Sequence, residues 1–217
     1  MTRSTARLRV HNLSMSLDGY VAGPNQDADH PVGTGGHALH EWIFKTAYGQ
    51  AMIGGSGGDT GRDDEFLRRG DEGVGATIMG RNMFGPIRGP WDSVPDEWRG
   101  WWGETPPYHH PVFVLTHHPR KPLEMAGGTT FHFVDGDLAA VLAQAFEAAA
   151  GADVRLGGGA ATVRQYLRAG LVDDLHIALV PVLLGGGERL LDGITGYETT
   201  DLVSSPSVAH LRLVRSA

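Results

Sequence analysis

DVRLGGGAATVRQYLRAGLVDDLHIALVPVLLGGG, residues 153–187, is the stretch that decides the fold. It predicts a short strand over 153–156, then three consecutive glycines, a helix over 160–169 and a long apolar strand over 175–184. This order places the backbone N–H groups of the glycines (157–159) at the opening of a helix, where the helix dipole favours an anion. The run therefore predicts a phosphate-binding turn, although glycines also serve plain strand-to-helix turns.

The remainder of the chain repeats this alternation of strands and helices. Strands are predicted at 8–16, 75–80, 111–116, 130–134 and 209–215, and helices at 37–48, after an N-cap at Asp63 or Asp64, and at 137–150. The glycine-rich segment 54–61 predicts a mobile loop. We therefore expect an α/β fold with a largely parallel sheet, helices on both faces and a single domain over residues 1–217.

Composition narrows the class of protein. The 217 residues are 41% hydrophobic, enough for a sizeable core, and they contain no apolar run near the roughly 20 residues that cross a bilayer. The absence of cysteine excludes disulfides, a thiolate nucleophile and cysteine-based metal sites. A net charge of −7 and a pI near 5.8 argue against nucleic-acid and anionic-membrane partners. No secretory signal is apparent, and we expect a soluble, cytoplasmic protein.

Ligands of parallel sheets collect at the carboxyl ends of the strands, so the residues after each predicted strand are the candidates for a site. These residues are Asp18-Gly19, Gly80-Arg81-Asn82, Thr116-His117-His118 and the glycine run. Three of the four clusters suit an anion. Their convergence on one edge of the sheet predicts a nucleotide cofactor site.

Four segments together resemble one known family. They are SLDGYVAG (16–23), IMGRNMFG (78–85), PVFVLTHHPRK (111–121) and the block 156–187. The chain resembles the dihydrofolate reductase superfamily, and more closely its branch that contains the reductase domain of bacterial riboflavin biosynthesis. The resemblance covers essentially the whole chain and implies a three-layer α/β/α fold with a mostly parallel central sheet, NADPH as the hydride donor and a homodimer.

The resemblance also implies a set of cofactor-binding residues. Gly80 and Arg81 match the turn whose arginine reaches the cofactor phosphates, and Thr116, His117 and His118 match the turn that holds the 2′-phosphate. Gly157, Gly158, Gly159 and Ala160 match the turn that cradles the pyrophosphate. Val21 and Ala22 match the short apolar segment near the nicotinamide.

The sequence indicates less clearly which residues would contact the hydride acceptor. Folate reductases place one carboxylate on the helix before the MGR strand, and Asp64 is the best-placed candidate here, with Asp63 and Glu65 beside it. Asp64 or Asp18 could supply or relay a proton, or anchor an amino-heterocycle. Each also has a simpler structural role, since Asp18 suits an Asp-Gly turn and Asp63 or Asp64 suits a helix N-cap.

Several interpretations stay open. The pairs His109-His110 and His37/His40 could suggest zinc, but they lack further ligands, so surface histidines and no metal are expected. The tryptophans of 91–102 could line the substrate pocket, close over the cofactor, bury a subunit contact or form a satellite core beneath a long loop. The expected reductase would act on a small pterin- or pyrimidine-like heterocycle or a related acceptor. The alternatives are a flavin-binding or flavin-reducing protein and a non-catalytic nucleotide-binding module.

Overall fold

A nine-stranded sheet forms the centre of the molecule. The computed structural model describes residues 6–85, 89–91 and 98–216. The strands of the sheet are β1 (Leu8–Ser16), β3 (Val74–Gly80), β4 (Pro111–Leu115), β5 (Leu123–Glu124), β6 (Thr130–Val134), β7 (Asp153–Gly158), β8 (Asp174–Val180), β10 (Tyr197–Ser204) and β11 (Ala209–Arg215). Their order is β10-β11-β8-β1-β7-β3-β4-β6-β5, and the six strands from β8 to β6 run parallel. The predicted mostly parallel sheet is confirmed.

Two short strands, six α-helices and 3₁₀ turns at Gly36–Leu39 and Ala126–Gly128 complete the described structure. The strands β2 (Tyr20–Ala22) and β9 (Glu188–Arg189) pair with each other outside the main sheet. The helices are α1 (Glu41–Lys45), α2 (Ala47–Met52), α3 (Arg62–Asp71), α4 (Arg81–Phe84), α5 (Leu138–Ala148) and α6 (Ala160–Arg168). None of the described helices is both long enough and apolar enough to cross a membrane.

Helices cover both faces of the sheet, as the alternating pattern predicts. On one face, Val141 of α5 and Val163 of α6 pack with Leu156 and Ile177 in the largest buried apolar cluster. On the other face, Trp42 of α1 and Leu67 of α3 pack with Ala178 and Val180 of β8. The three layers follow because adjacent residues along a parallel strand point to opposite faces, and each face needs its own apolar cover.

The predicted single helix over 37–48 is wrong. A 3₁₀ turn at Gly36–Leu39 is followed by α1 and α2, which are separated by Thr46 in an extended conformation. The Thr46 side chain accepts a hydrogen bond from the Gly49 amide, so it caps α2 rather than continuing α1. The apolar residues recur at helical spacing, but the Thr46 cap divides the segment into two helices.

Two other boundaries differ from the predictions. Gly61 is the N-cap of α3, so Asp63 and Asp64 lie in its first turn and are not caps. Strand β8 ends at Val180, because Pro181 follows and has no N–H for the sheet. The tryptophan-rich segment is described only in part, and the predictions at 86–88 and 92–97 lie outside the described residues.

A chain of polar groups that includes two buried histidines joins α3 to the sheet. The Asn12 amide donates to Nδ1 of His176 (3.2 Å), Nε2 of His176 lies 3.0 Å from Nδ1 of His210, and Nε2 of His210 lies 2.9 Å from Asp63. The Asn12 side-chain oxygen also lies 3.1 Å from Nδ1 of His176, but a ring N–H there would collide with the backbone N–H. Both rings therefore carry their proton on Nε2 and are neutral.

Candidate cofactor and active site

The glycine turn meets a helix N-terminus at the carboxyl edge of the sheet. Strand β7 ends in Gly157 and Gly158, and Gly159 is the N-cap of α6 without a side-chain cap. Gly158 has φ of +133°, which favours glycine, and the peptide bond to Gly159 is cis. A Cβ at Gly159 would meet nothing within 4 Å. There is therefore open space beside the N-cap of α6, where an anion cradle needs it.

Close packing at Gly80 brings strand β3 against the same helix. A Cβ at Gly80 would lie 2.2 Å from Oγ1 of Thr162 in the first turn of α6, so only glycine fits unless the Thr162 side chain moves. Arg81 follows directly as the first residue of α4. Arg81 therefore lies directly after the end of β3, at the point where this strand packs against α6.

Arg81 and Thr116 are brought together from neighbouring strand ends. Nη1 of Arg81 donates to Oγ1 of Thr116 at 3.2 Å, and the same oxygen accepts the His118 amide at 3.1 Å. Thr116 is 7% exposed. The predicted adjacency of these two clusters is a consequence of the parallel pairing of β3 with β4.

Two histidines of the predicted phosphate turn have different positions. The His117 side chain is 94% exposed, and its Nδ1 lies 3.2 Å from Asp135. The His118 carbonyl accepts the indole N–H of Trp91. The exposed imidazole of His117 can therefore still contact an anion from solvent. His118 instead holds the loop through its backbone carbonyl.

Trp91 lies between two arginines, which the sequence did not indicate. The guanidinium of Arg81 is 3.6 Å from its ring centroid and that of Arg120 is 3.9 Å away. Burial, followed by the charge of Arg81, lowers the pKa of Arg120. Each guanidinium gains cation–π attraction from the ring, which offsets part of the repulsion between the two cations.

Val21 and Ala22 form the inner part of β2, beside the loop that follows β8. Both are buried, and a Cβ at Gly187 would lie 2.0 Å from the Ala22 carbonyl oxygen. Strand β2 pairs with β9 in an antiparallel arrangement. The segment predicted to lie near a nicotinamide is therefore held by backbone packing.

Asp18 ties the turn after β1 to the loop after β8. Its carboxylate accepts the Ser16 hydroxyl (2.6 Å) and the amides of Leu184 (3.1 Å) and Gly185 (2.7 Å). The hydrogen bond from Ser16, followed by the Gly185 amide, lowers the pKa of Asp18 to about 2. Asp18 is therefore ionised at neutral pH and organises two loops.

Asp64 is 4% exposed and lies within the helical layer. It accepts the Tyr48 amide at 2.6 Å and Nε of Arg68 at 2.7 Å. Burial opposes ionisation, but these donors outweigh it and lower the pKa of Asp64. The neighbouring Asp63 is bound by His210 and by the Ser205 hydroxyl at 2.9 Å.

A second polar cluster, which sequence reasoning missed, lies on the strands that lead to the glycine turn. Arg155 of β7 donates to Asp71, which also accepts the Tyr48 hydroxyl at 2.9 Å. On the adjacent β3, Oγ1 of Thr77 lies 2.8 Å from Nε2 of His110. Burial, followed by the charge of Arg155, lowers the pKa of His110 to about 4. An arginine inside an otherwise apolar strand was the signal available for this cluster.

Within the described ranges, no group of three or more histidines and carboxylates is arranged to hold a metal ion. His109 places its Nδ1 2.8 Å from the Gly127 carbonyl, and His40 places its Nδ1 3.2 Å from the Gly36 carbonyl. One histidine of each of the two sequence pairs that could suggest zinc thus has a backbone partner.

The chain matches the model of one protein family, the RibD C-terminal domain, over residues 10–215. No curated protein sequence matches it. Among solved structures, a candidate riboflavin biosynthesis protein from Shewanella sp. PV-4 is similar, with a TM-score of 0.60 and 22% identity, over 97% of this chain and 99% of that one.

Two further structures have the same architecture. Dihydrofolate reductase from Enterococcus faecalis, complexed with NADP(H) and RAB-propyl, has a TM-score of 0.52 and 13% identity over 97% of each chain. The diaminohydroxyphosphoribosylaminopyrimidine deaminase/5-amino-6-(5-phosphoribosylamino)uracil reductase from Thermotoga maritima has a TM-score of 0.56 and 13% identity, over 97% of this chain and 56% of that one. These likenesses confirm the dihydrofolate reductase-like fold.

Proposed function

We propose, since the chain belongs to the RibD C-terminal domain family, that it is an NADPH-dependent reductase of one domain that transfers a hydride to a small heterocyclic acceptor. The acceptor would be pterin-like, pyrimidine-like or a related compound. The observation that carries the proposal is the Arg81–Thr116 hydrogen bond, because it places a cation at the strand ends beside the uncapped N-terminus of α6.

The proposed cofactor contacts follow the chemistry of each group. Gly157–Ala160 would hold the pyrophosphate through backbone N–H groups, and the open space before Gly159 supports this. Arg81 and the turn Thr116–His118 would hold the 2′-phosphate, to which a guanidinium binds with two parallel hydrogen bonds. Val21 and Ala22 would form the apolar wall near the nicotinamide.

NADPH, when bound, supplies the hydride, so the protein has chiefly to position two partners and exclude water. Asp18 and Asp64 both have lowered pKa values and several donors. They are therefore better suited to hold a loop or to anchor an amino-heterocycle than to donate a proton. We propose Asp64 as an anchor and Asp18 as a positioning residue for the loops beside β2.

Cofactor preference tests this function. NADPH should bind more tightly than NADH, and Arg81→Ala should reduce NADPH affinity about tenfold or more while leaving NADH affinity almost unchanged, because one charge-assisted contact to phosphate contributes about 1.5–3 kcal/mol. Arg62→Ala, at an exposed arginine of α3, is the control. Equal affinity of the parent protein for the two cofactors would refute the 2′-phosphate assignment.

We also propose a cytoplasmic homodimer. Strand β10 lies at one edge of the sheet, and its Leu202 is 69% exposed. An exposed edge strand with apolar side chains is a surface that a second copy can cover. Light scattering coupled to gel filtration should give a mass near twice 23.2 kDa, and a Leu202→Lys variant should shift it toward the monomer.

A further inference from the structure

A cleft of about 690 Å³ opens beside the edge strand β5 and is lined in part by Arg120. We call it the β5 cleft, and its lining residues are Trp98, Arg99, Glu104, Arg120, Lys121, Pro122 and Leu123. Its volume is in the range of small-molecule sites.

The walls of the β5 cleft are held by hydrogen bonds from its own residues. The indole N–H of Trp98 donates to the Phe84 carbonyl at 3.1 Å, and Arg99 donates to the Glu124 carbonyl at 3.4 Å. Arg120 donates to the Trp98 carbonyl at 3.5 Å. The segment that begins at Trp98 is thereby tied both to the end of α4 and to β5.

The charge of the cleft is opposite to that of the protein. Three cations and one carboxylate line it, whereas the whole chain carries −7. Eight arginines elsewhere pair with carboxylates, namely Arg7, Arg9, Arg68, Arg69, Arg155, Arg189, Arg212 and Arg215. Over the described ranges, Arg99, Arg120 and Lys121 form no such pair. Unpaired cations concentrated around one concave surface attract small anions.

Arg120 is a cation of the cleft wall that also packs against aromatic rings. Its guanidinium lies 3.9 Å from the Trp91 ring centroid and 4.1 Å from that of Phe133, so part of its hydration is lost. The aromatic contacts compensate only in part for that loss. Trp98, Pro122 and Leu123 add an apolar wall against which a planar group can pack.

We propose that the β5 cleft is a second ligand site, separate from the cofactor site, for a phosphorylated small molecule with a planar or apolar portion. Phosphate would lie among Arg99, Arg120 and Lys121, and the planar portion would lie against Trp98. The cleft adjoins the proposed cofactor site, because Arg120 contacts the same Trp91 ring as Arg81. None of its lining residues belongs to the glycine turn or to the Arg81–Thr116 pair, so the proposed ligand does not require the proposed reductase activity.

Calorimetric titration of AMP and of inorganic pyrophosphate into protein saturated with NADPH tests the proposal. Both should bind, AMP more tightly than ribose 5-phosphate. The double variant Arg99→Glu/Lys121→Glu should weaken AMP binding at least about tenfold, since two contacts to phosphate are lost. Glu104→Gln should strengthen it about two- to fivefold, because a repulsive charge is removed. Arg62→Glu, which changes charge by the same amount per residue in α3, should have no effect.

Three results would overturn the proposal. Loss of AMP binding when NADPH saturates the protein would assign the cleft to the cofactor site. Equal weakening by Arg62→Glu would reveal non-specific attraction, and unchanged affinity in the double variant would place the anion elsewhere. If NADPH itself does not bind, the proposed function fails. Titration of AMP into the free protein and its variants then still shows whether the β5 cleft binds the ligand.

Discussion

Acidification should destabilise this protein through the buried ring of His176. Burial, followed by the repulsion that a protonated His210 would add, lowers the pKa of His176 to about 3, whereas a histidine in an unfolded chain titrates at about 6.5. Between these values the unfolded state binds a proton that the folded state does not, so the free energy of unfolding falls as the pH falls. At about 1.4 kcal/mol per pKa unit, His176 alone removes about 2 kcal/mol by pH 5.

The groups that surround this ring strengthen the effect. Burial also lowers the pKa of His11 and of His210. Asp174 acts only in stronger acid, below the range in which His176 acts. Its pKa is lowered despite its burial, because Nε2 of His11 lies 3.4 Å from it and Arg212 donates to it. Protonation of the His176 ring would also break the bond from the Asn12 amide, because Nδ1 could no longer accept it.

Urea unfolding at several pH values between about 7.5 and about 4.5 measures the effect. His176→Asn keeps an oxygen for the Asn12 amide and removes the titrating ring. We expect the variant to be less stable than the parent at neutral pH. Between about pH 5.5 and about 4.5, its free energy of unfolding should change by about 1.4 kcal/mol less per pH unit, the contribution of one proton.

His37→Gln is the matched control, because His37 is exposed and its replacement should leave the pH dependence unchanged. The reasoning is refuted if His176→Asn retains the full acid dependence of the parent. It is also refuted if the parent becomes more stable between about pH 6.5 and about 5, since the histidine would then be charged in the folded state.

Three further predictions concern the site and the helical layer. Gly80→Ala should weaken NADPH binding about tenfold by displacing the first turn of α6, and adding Thr162→Ala should restore most of the affinity, because the clash at 2.2 Å is with that side chain. Asp18→Asn should speed hydrogen exchange of the two amides it binds after β8, while exchange in α5 stays unchanged. Trp42→Phe should lower the free energy of unfolding by about 1–3 kcal/mol, because it leaves the buried Ser14 hydroxyl without its 3.0 Å donor, and the double variant with Ser14→Ala should recover part of that loss.

Local sequence patterns predicted much of the architecture. The helix over 160–169 is observed as Ala160–Arg168, and the strand over 130–134 as Thr130–Val134. Asp137 caps the helix predicted to begin there. These features depend on residues close together in the chain, namely the spacing of apolar residues, helix caps and glycine positions. A single sequence can therefore reveal them. The cofactor residues stay predictions, although the parallel strands do bring Arg81 and Thr116 together.

The sequence missed the edge strand β10, where only the first residue and one other are partly buried. It also predicted one helix where Thr46 divides two. A strand with few apolar residues shows no alternation of apolar and polar side chains. A cap inside a helical pattern forms only when the side chain's hydrogen bond to a backbone amide is more favourable than continuing the helix, and the spacing of apolar residues does not reveal this.

By itself, the sequence determined the order of strands and helices, the α/β class and the clusters that follow each strand, because these depend on residues close together in the chain. Only the tertiary structure decided which distant groups meet. Asp63 and His210 are separated by 147 positions, and Arg155 and Asp71 by 84, yet each pair is in direct contact. The position of Trp91 between Arg81 and Arg120 was likewise decided by packing. Such contacts depend on sheet order and on how loops pack over its edge, and no local pattern of residues encodes either.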